Sequence, residues 1–233
     1  PDNCLEFFEH LLAKKRSSIA SIFLVNNLSF DIFLKIGWLY SSRCYSIANN
    51  LVRNIFASRK REKFFRKYNL PVIKVNSIED NQIVNWIKDN RVDLVVNFRA
   101  RCVFKHDLLT APKLGCVNLH HGLLPKYRGL YCDLYALYEN RPAGFSLHKM
   151  NRQIDGGEIY TTTPVSENNE KDYSAYLSKL SGIEADVLSQ FLDDLEIHGK
   201  LPAGLPNIED EVVFTNTPSR KEIFKMKAEG VIL

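Results

Sequence analysis

Hydrophobic residues recur along the chain in two rhythms, one typical of amphipathic helices and one typical of buried strands. Apolar residues at helical spacing within 5–12 follow two N-cap candidates, Asp2 and Asn3, and predict a first helix. The apolar run 19–25 then predicts a buried strand. Because a doubly wound sheet normally opens with a strand, we expect a further short strand before Pro1.

From residue 71 onward, predicted strands and helices alternate regularly along the sequence. The strands are expected at 71–75, 94–98, 115–120, 144–150, 158–165 and 212–215. The helices are expected at 78–89, 104–110, 132–139 and 173–198, with a last charged helix opened by Pro218 and Ser219. This alternation predicts an α/β fold, Rossmann-like and doubly wound, with a mainly parallel sheet and right-handed crossovers.

Segment 28–69 interrupts the alternation with a long, mostly helical and aromatic-rich pattern that ends in a basic run at 59–67. We favour an exposed helix face that is solvated by its charges. Two alternatives stay open, a surface that binds phosphates and an interfacial membrane helix over 28–41. The expected organisation is one domain over 1–199, with 28–69 as a helical insertion, and a short tail over 200–233 that holds a strand and a helix.

Composition narrows the class of protein without identifying it. The chain has 233 residues with 31 basic and 27 acidic side chains, so its formal net charge of +4 suits an anionic substrate better than a long nucleic acid. The five cysteines are scattered without a C-x-x-C pair, which argues against a disulfide framework and favours a reducing cytoplasm. No apolar run approaches the roughly 18 residues of a membrane span.

Three polar residues form the candidate catalytic set. Asn118 and His120 are two residues apart on a predicted strand, so both side chains face the same way at the end where open parallel sheets bind ligands. An amide donor beside an imidazole suits a developing oxyanion, and Asp155 on a glycine turn can reach such a site. Taken singly, each could be a capping, buried or turn residue. His120, His148 and Asp155 do not follow a zinc spacing, so no metal site is predicted.

Three linked motifs carry a resemblance to a known family. They are Asn118-Leu-His120, the loop Leu123–Gly129 (Leu-Leu-Pro-Lys-Tyr-Arg-Gly) and Asp155-Gly156-Gly157, with Gly144–Met150 before the aspartate. In this order they resemble the folate-dependent formyltransferases, a family that includes methionyl-tRNA formyltransferase, glycinamide ribonucleotide transformylase and the nucleotide-sugar N-formyltransferases. The sequence departs from the family pattern at His121-Gly122, where Pro-Ser or Ala-Ser is usual, in the basic segment 97–102, and in the insertion.

The resemblance implies a formyltransferase-type fold and an enzyme of one-carbon metabolism that transfers a formyl group from 10-formyltetrahydrofolate to a primary amine. In that mechanism Asn118 and protonated His120 donate hydrogen bonds to the oxyanion of the tetrahedral intermediate. Asp155 orients His120, favours its imidazolium by raising the pKa, and positions a water that carries the proton to the leaving nitrogen. The mechanism requires no metal.

The resemblance and the basic residues near the expected cleft also place the two ligands. The donor is expected against Phe98, Arg99, Arg101, Cys102, Val103, Phe104, Ile154, Gly156 and Gly157. The acceptor is expected against His121, Gly122, Lys126 and Arg128. A solvated loop is an equal alternative for Arg99 and Arg101, and a structural or solvent-exposed role is an equal alternative for His121.

A small anionic acceptor such as a nucleotide-linked amino sugar is the favoured substrate, because cationic residues crowd the expected cleft. The alternatives are glycinamide ribonucleotide and methionyl-tRNA, although an RNA-binding module is not expected in residues 200–233. An alternative of another class is a non-catalytic binding scaffold of formyltransferase fold. The expected partners are the amine and folate, without nucleic acid or a membrane span, in the cytoplasm, and a homodimer stays open.

Overall fold

A four-stranded mixed sheet forms the centre of the fold in the computed structural model, which describes residues 3–25, 30–78, 80–100, 102–167 and 169–233. The strands are β1 (Ile22–Val25), β2 (Val72–Val75), β3 (Val95–Phe98), β4 (Cys116–His120), β5 (Tyr127–Gly129), β6 (Ala143–Lys149), β7 (Ile159–Ser166) and β8 (Val213–Thr215). The helices are α1 (Asn3–Lys15), α2 (Phe30–Ser41), α3 (Tyr45–Lys67), α4 (Asn81–Asp89), α5 (His106–Thr110), α6 (Cys132–Tyr138), α7 (Tyr173–His198) and α8 (Arg220–Ala228).

The strands combine parallel and antiparallel pairing. The central sheet has the order β3-β4-β6-β7, in which β3 and β4 are parallel, whereas β4 with β6 and β6 with β7 are antiparallel. Two further parallel ladders join β1 to β2 and β5 to β8. The expected parallel arrangement is therefore found in the first half of the fold. The sheet becomes mixed where the predicted strand pair forms the β6–β7 hairpin, and the turn of that hairpin carries Asp155.

The short ladder between β5 and β8 ties the C-terminal tail to the middle of the chain. Residues 123–129 are predicted as a loop, but Tyr127–Gly129 forms a strand because the tail supplies its parallel partner, Val213–Thr215. Gly129 has a φ of 103°, and a Cβ atom at this position would collide with the Thr215 carbonyl. The tail thus contributes a strand directly beside the loop that follows β4.

Helices α1 and α7 pack together and against the central sheet, and they form the largest part of the core. Phe7, Phe145 and Tyr176 are fully buried there. A second cluster, centred on Ile83 and Ile87 of α4, covers the side of the sheet next to α5. Burial of this much aromatic and aliphatic surface is the main source of stability for the scaffold that holds the site.

The insertion folds as helices α2 and α3, and the basic run lies on α3. Phe65 is fully buried and packs edge-to-face on Phe8 with ring centroids 4.8 Å apart, whereas Lys63 and Arg66 are exposed. The helix therefore packs through Phe65 and exposes Lys63 and Arg66 to solvent. Among the described residues, no helix is both long and apolar enough to span a membrane. All five cysteines carry free thiols.

Candidate active site

Three neighbouring strands place polar side chains on one face of the central sheet. Asn118 on β4 is the register partner of Asn97 on β3 and of His148 on β6. Because side chains alternate along a strand, His120 shares the face of Asn118. Asparagine and histidine thus occupy positions where packing alone would favour apolar residues, which makes this face a candidate functional site.

Asp155 brings these groups together from the turn between β6 and β7. Its Oδ2 lies 3.6 Å from His120 Nδ1, and its Oδ1 lies 3.4 Å from both His148 Nε2 and Asn118 Nδ2. The backbone N–H of Gly129 donates to Oδ2 at 2.9 Å. The three residues of the predicted catalytic set therefore converge, and the structure adds His148 to them.

Asn97 fixes the orientation of the Asn118 amide. Its Nδ2 donates to Asn118 Oδ1 at 2.9 Å and to the Ala100 carbonyl at 3.3 Å. With its oxygen occupied, Asn118 turns its Nδ2 toward His148 and Asp155. An amide held in this way can donate to a negatively charged oxygen. Sequence reasoning missed Asn97, although an asparagine near the end of a buried strand is a usable signal.

The hydrogen bonds assign the proton-bearing nitrogen of each histidine. His120 Nε2 lies 2.9 Å from the Tyr127 carbonyl, which can only accept, so Nε2 donates and Nδ1 faces Asp155. His148 Nδ1 donates to the Lys149 carbonyl at 2.8 Å, and its Nε2 lies 3.4 Å from Asp155 Oδ1 and 3.2 Å from Asn118 Nδ2. Both nitrogens of His120 are directed at protein atoms. In this arrangement His120 has no N–H group left to donate the expected hydrogen bond to an oxyanion.

Burial and charge set the protonation states of Asp155 and His120. Burial raises the pKa of Asp155, but the hydrogen bond with His148, the interaction with the His120 ring and the Gly129 N–H together outweigh it, so the pKa lies below its usual value. Burial lowers the pKa of His120 more than the Asp155 charge raises it, and the net shift is downward. Asp155 thus favours the imidazolium of His120, as expected, but desolvation of the buried ring outweighs the carboxylate.

The arrangement offers two chemical capabilities. One is hydrogen-bond donation from an oriented amide, and the other is uptake of a proton by a histidine that lies against a carboxylate. In the part of the chain that the structure describes, no group of His, Cys, Asp or Glu side chains is arranged to hold a metal ion.

Close approaches around these side chains require two glycines. A Cβ atom on Gly122 would lie 2.5 Å from His120 Nε2, and one on Gly157 would collide with the Lys149 carbonyl. Asp155 has a φ of 49°, a left-handed conformation that few non-glycine residues adopt. Gly122 thus makes room for the candidate catalytic ring. Contact of the Gly122 backbone with an acceptor stays a prediction.

His121 belongs to a buried ionic cluster with Asp133, Glu184 and Arg99. His121 Nε2 lies 2.7 Å from one Glu184 oxygen and Nδ1 lies 3.2 Å from Asp133, while Arg99 donates to the other Glu184 oxygen at 2.7 Å. Burial opposes charge on His121, but the two carboxylates outweigh it and raise its pKa to about 9. The buried carboxylates require these cations. The acceptor contact expected of His121 and the donor contact expected of Arg99 stay predictions.

Arg128 is engaged with the C-terminal tail. Its Nη2 donates to the backbone carbonyl and to Oδ1 of Asn207, at 3.0 Å in each case. The acceptor contact expected of Arg128 stays a prediction, and its guanidinium already has a partner close to the site. Sequence reasoning missed Asn207 because nothing in the pattern of the tail links it to the catalytic turn. Lys126 is half-buried in the same loop and stays a predicted acceptor contact.

Two aromatic residues expected to line the donor site are packing residues. Phe98 stacks on Phe7 with ring centroids 3.7 Å apart, and Phe104 is 5% exposed within the second core cluster. Since Asn97 faces the site, strand alternation turns Phe98 to the opposite face of the sheet. The expected role of both rings as walls of a donor pocket stays a prediction.

The remaining donor-site candidates lie in the two loops that flank the site. Val103 and Ile154 are 62% and 56% exposed, which is unusual for apolar residues beside a polar site. Cys102 is half-buried, and burial raises the pKa of its thiol. Gly156 and Gly157 belong to the turn of Asp155. Arg101 lies outside the described residues.

Sequence comparison assigns the family. The sequence profile described as formyl transferase matches residues 44–192, which is more than half of the chain, so the chain belongs to the formyl transferase family. The methionyl-tRNA formyltransferase of Enterococcus faecalis is 29% identical over 157 residues, which cover 67% of this chain and 50% of that protein. The chain spans half or less of the length of the curated relatives that it matches, from 24% to 50% for three of them.

Solved structures share the fold. Phosphoribosylglycinamide formyltransferase from Bacillus halodurans matches with a TM-score of 0.61 at 18% identity, over 83% of this chain and 91% of that chain. The formyltransferase PseJ from Anoxybacillus kamchatkensis, solved with UDP-4,6-dideoxy-4-formamido-L-AltNAc and tetrahydrofolate, matches with a TM-score of 0.54 at 20% identity, over 74% of this chain and 88% of that chain. These matches confirm the predicted formyltransferase-type α/β fold.

Proposed function

We propose that this chain transfers a formyl group from 10-formyltetrahydrofolate to the primary amine of a small, anionic acceptor such as a nucleotide-linked amino sugar. The observation that carries the proposal is the convergence of Asn118, His120 and Asp155, with Asp155 Oδ2 3.6 Å from His120 Nδ1. Membership in the formyl transferase family supports the class of reaction.

Asn118 supplies the oxyanion contact in this proposal. Addition of an amine to a formyl carbon turns the carbonyl oxygen into an oxyanion, and a donor that the protein already holds in place stabilises this charge without reorganisation. Asn97 occupies the Asn118 oxygen, so the Nδ2 donors stay on the side of the site. Loss of such a donor costs roughly a hundredfold or more in rate.

His120 and Asp155 transfer a proton from the attacking amine to the leaving nitrogen in this proposal. The attacking amine has to lose one proton, and the leaving nitrogen has to gain one. Because the pKa of His120 is lowered, the ring is neutral, and its Nδ1 takes up the amine proton through a water beside the Asp155 carboxylate, which stabilises the imidazolium. The same proton then passes to the leaving nitrogen through a water that Asp155 positions. His120 and Asp155 return to their starting protonation states, because the one proton that is taken up is also released.

The loops beside the site fit a folate. When bound, 10-formyltetrahydrofolate supplies the formyl group. Val103 and Ile154 offer exposed apolar surface that a pterin ring can cover, and the peptide groups of the Asp155 turn can pair with its polar edge. The complex of the related PseJ with tetrahydrofolate supports a folate as the donor.

Local charge argues for a small anionic acceptor. Lys126 lies in the loop between His120 and Gly129, which both contact Asp155, and its ammonium group is the phosphate contact in this proposal. The formal net charge of +4 is small for a protein that must neutralise many nucleic-acid phosphates. The nucleotide sugar bound to PseJ supports the same class of acceptor.

Turnover with 10-formyltetrahydrofolate and a panel of amines tests the proposal. The panel contains a nucleotide-linked amino sugar, glycinamide ribonucleotide and charged methionyl-tRNA, and formylated products are identified by mass spectrometry. We expect formylation of the amino sugar. Lys126→Ala should raise its KM more than it lowers kcat, since a phosphate contact binds ground state and transition state alike. Lys200→Ala, an exposed lysine after α7, is the matched control.

Two results would overturn parts of the proposal. Efficient formylation of methionyl-tRNA would contradict the proposed class of acceptor. So would a KM for the acceptor that is the same in Lys126→Ala and in the unsubstituted protein. Failure of the folded protein to bind a folate analogue at millimolar concentration in a calorimetric titration would contradict the enzyme and favour a binding scaffold of the same fold.

A further inference from the structure

A side chain from the C-terminal tail lies directly behind the turn that carries the candidate catalytic aspartate. Asn207 Nδ2 donates to the carbonyls of Asp155 and Gly157, at 2.8 Å in each case. These carbonyls lie on either side of Gly156, so one amide bridges the turn. Asp155 has a φ of 49°, a conformation that is unfavourable for a residue with a Cβ atom, and the bridge holds the backbone in it.

The Asn207 amide is itself held in one orientation. Arg128 Nη2 donates to Asn207 Oδ1 and to the Asn207 carbonyl, both at 3.0 Å. With its oxygen bound to a guanidinium, Asn207 presents Nδ2 to the turn. The residue after Arg128, Gly129, donates its N–H to Asp155 Oδ2 at 2.9 Å. The hydrogen bonds therefore form a closed path from the loop after β4, through the tail, to both the backbone and the carboxylate of Asp155.

Backbone hydrogen bonds hold the tail on both sides of Asn207. Leu205 exchanges two backbone hydrogen bonds with Ile159, at 2.8 and 3.0 Å. On the other side, the Val213 N–H donates to the Lys126 carbonyl at 2.8 Å, where β8 joins β5. Asn207 is therefore carried by a segment whose two ends are fixed to the hairpin and to the catalytic loop.

We propose that Asn207 is a positioning residue, which holds the Asp155 turn so that the carboxylate stays between His120 and His148. The kinetic part of this inference rests on the proposed function, whereas the geometric part does not. The polar atoms of the Asn207 side chain are directed at the turn and at Arg128, so it acts on the reaction through Asp155.

Loss of the Asn207 hydrogen bonds should change the pKa of His120, which a purely structural role of Asn207 would not do. The Asp155 charge beside His120 Nδ1 raises the pKa of His120 against the effect of burial. Displacement of the carboxylate would therefore lower that pKa further. A residue that only stabilised the tail would lower the unfolding temperature and leave the pKa of His120 in the folded protein unchanged.

The variant Asn207→Ala in the full chain tests the inference, by histidine titration in NMR and by formyl-transfer kinetics. We expect the pKa of His120 to fall relative to the unsubstituted protein, while that of His121 stays at about 9 as an internal reference. We also expect kcat to fall roughly tenfold to hundredfold with little change in KM, from the loss of two hydrogen bonds. Ile208→Ala, at a residue that is 78% exposed, is the matched control and should change neither quantity.

Arg128→Ala provides a second route if Asn207→Ala does not fold. It keeps the Asn207 side chain but releases its amide, so the pKa of His120 and kcat should fall in the same direction. An unchanged His120 pKa in a folded variant would overturn the inference, and so would a raised KM at unchanged kcat, which is the pattern of a ligand contact. If the unsubstituted protein formylates no amine, the proposed function fails while the titration still decides the role of Asn207.

Discussion

Asp155 is the residue on which the geometry of the site depends. Asn118 and His120 extend from a strand inside the sheet, which fixes their backbones, whereas Asp155 extends from a turn in a left-handed conformation. Its carboxylate is 10% exposed and lies within 3.6 Å of His120 Nδ1. The position of the Asp155 carboxylate therefore depends on the contacts that fix its turn. Asn207 and Gly129 supply such contacts.

The pH dependence of turnover follows from the state of His120. Because burial lowers the pKa of His120 below the ordinary histidine value of about 6.5, the ring is neutral and can accept a proton at neutral pH. We expect kcat to be close to its maximum at neutral pH and to fall toward acid pH, as His120 becomes protonated. A pH–rate profile of kcat checks this, and an acid limb centred above pH 7 would contradict it.

Asn118, His120 and Asp155 could be predicted as site residues because each belongs to a short motif of contiguous residues. The supporting residues could not. Asn97 and Asn118 are 21 residues apart, and Asn207 and Asp155 are 52 apart, so their contacts depend on the folded topology. Sequence also could not show that a buried carboxylate, 85 residues along the chain, would engage Arg99.

At the scale of elements, a buried ionic cluster ties helices α6 and α7 to the ends of strands β3 and β4. Asp133 on α6 and Glu184 on α7 are almost completely buried, and they meet His121 and Arg99 just beyond the two strands. Charged groups are stable in such a position because each cation meets a carboxylate at hydrogen-bond distance. The cluster therefore holds both helices against the edge of the sheet that carries the site.

This cluster should make the stability of the fold depend on pH. The pKa of His121 is raised to about 9 in the folded state, so its contribution is complete below the unfolded value of about 6.5 and is lost as the pH rises through 9. The free energy of unfolding should then fall by roughly 3 kcal/mol between these limits. Chemical denaturation across the pH range measures it.

His121→Gln is the comparison for this effect, because it removes the titrating group and should give a flatter dependence over the same range. Histidine titration of the unsubstituted protein gives the same information if the variant does not fold. A free energy of unfolding that is constant between pH 6.5 and 9, or a His121 pKa near 6.5, would contradict the assignment.

Elements with strong local signals were predicted well, and those that need a distant partner were not. Helix α7 spans the predicted range 173–198, and the predicted strand pair forms the hairpin β6–β7. Strand β5 was missed because three residues of a glycine-containing loop become a strand only when β8 pairs with them. The sheet is mixed because the predicted strand pair forms an antiparallel hairpin beside the parallel pair β3–β4.

At the scale of the whole molecule, the fold brings residues from the middle of the chain and from the tail to one site. The formyl transferase profile ends at residue 192, and the contacts of Asn207 and β8 lie beyond it. The tail therefore contributes directly to the surroundings of the catalytic turn. The insertion, by contrast, packs through Phe65 on α1.

Single-turnover formyl transfer by Asp155→Asn tests the central claim most directly, that the carboxylate at this turn serves the reaction. The substitution keeps the shape of the side chain and removes its charge, so the fold should persist and the rate should fall roughly a hundredfold or more. Asp194→Asn, at an exposed aspartate of α7, is the matched control and should retain the full rate. A folded Asp155→Asn protein that transfers the formyl group as fast as the control would contradict the assignment of this site as the active site.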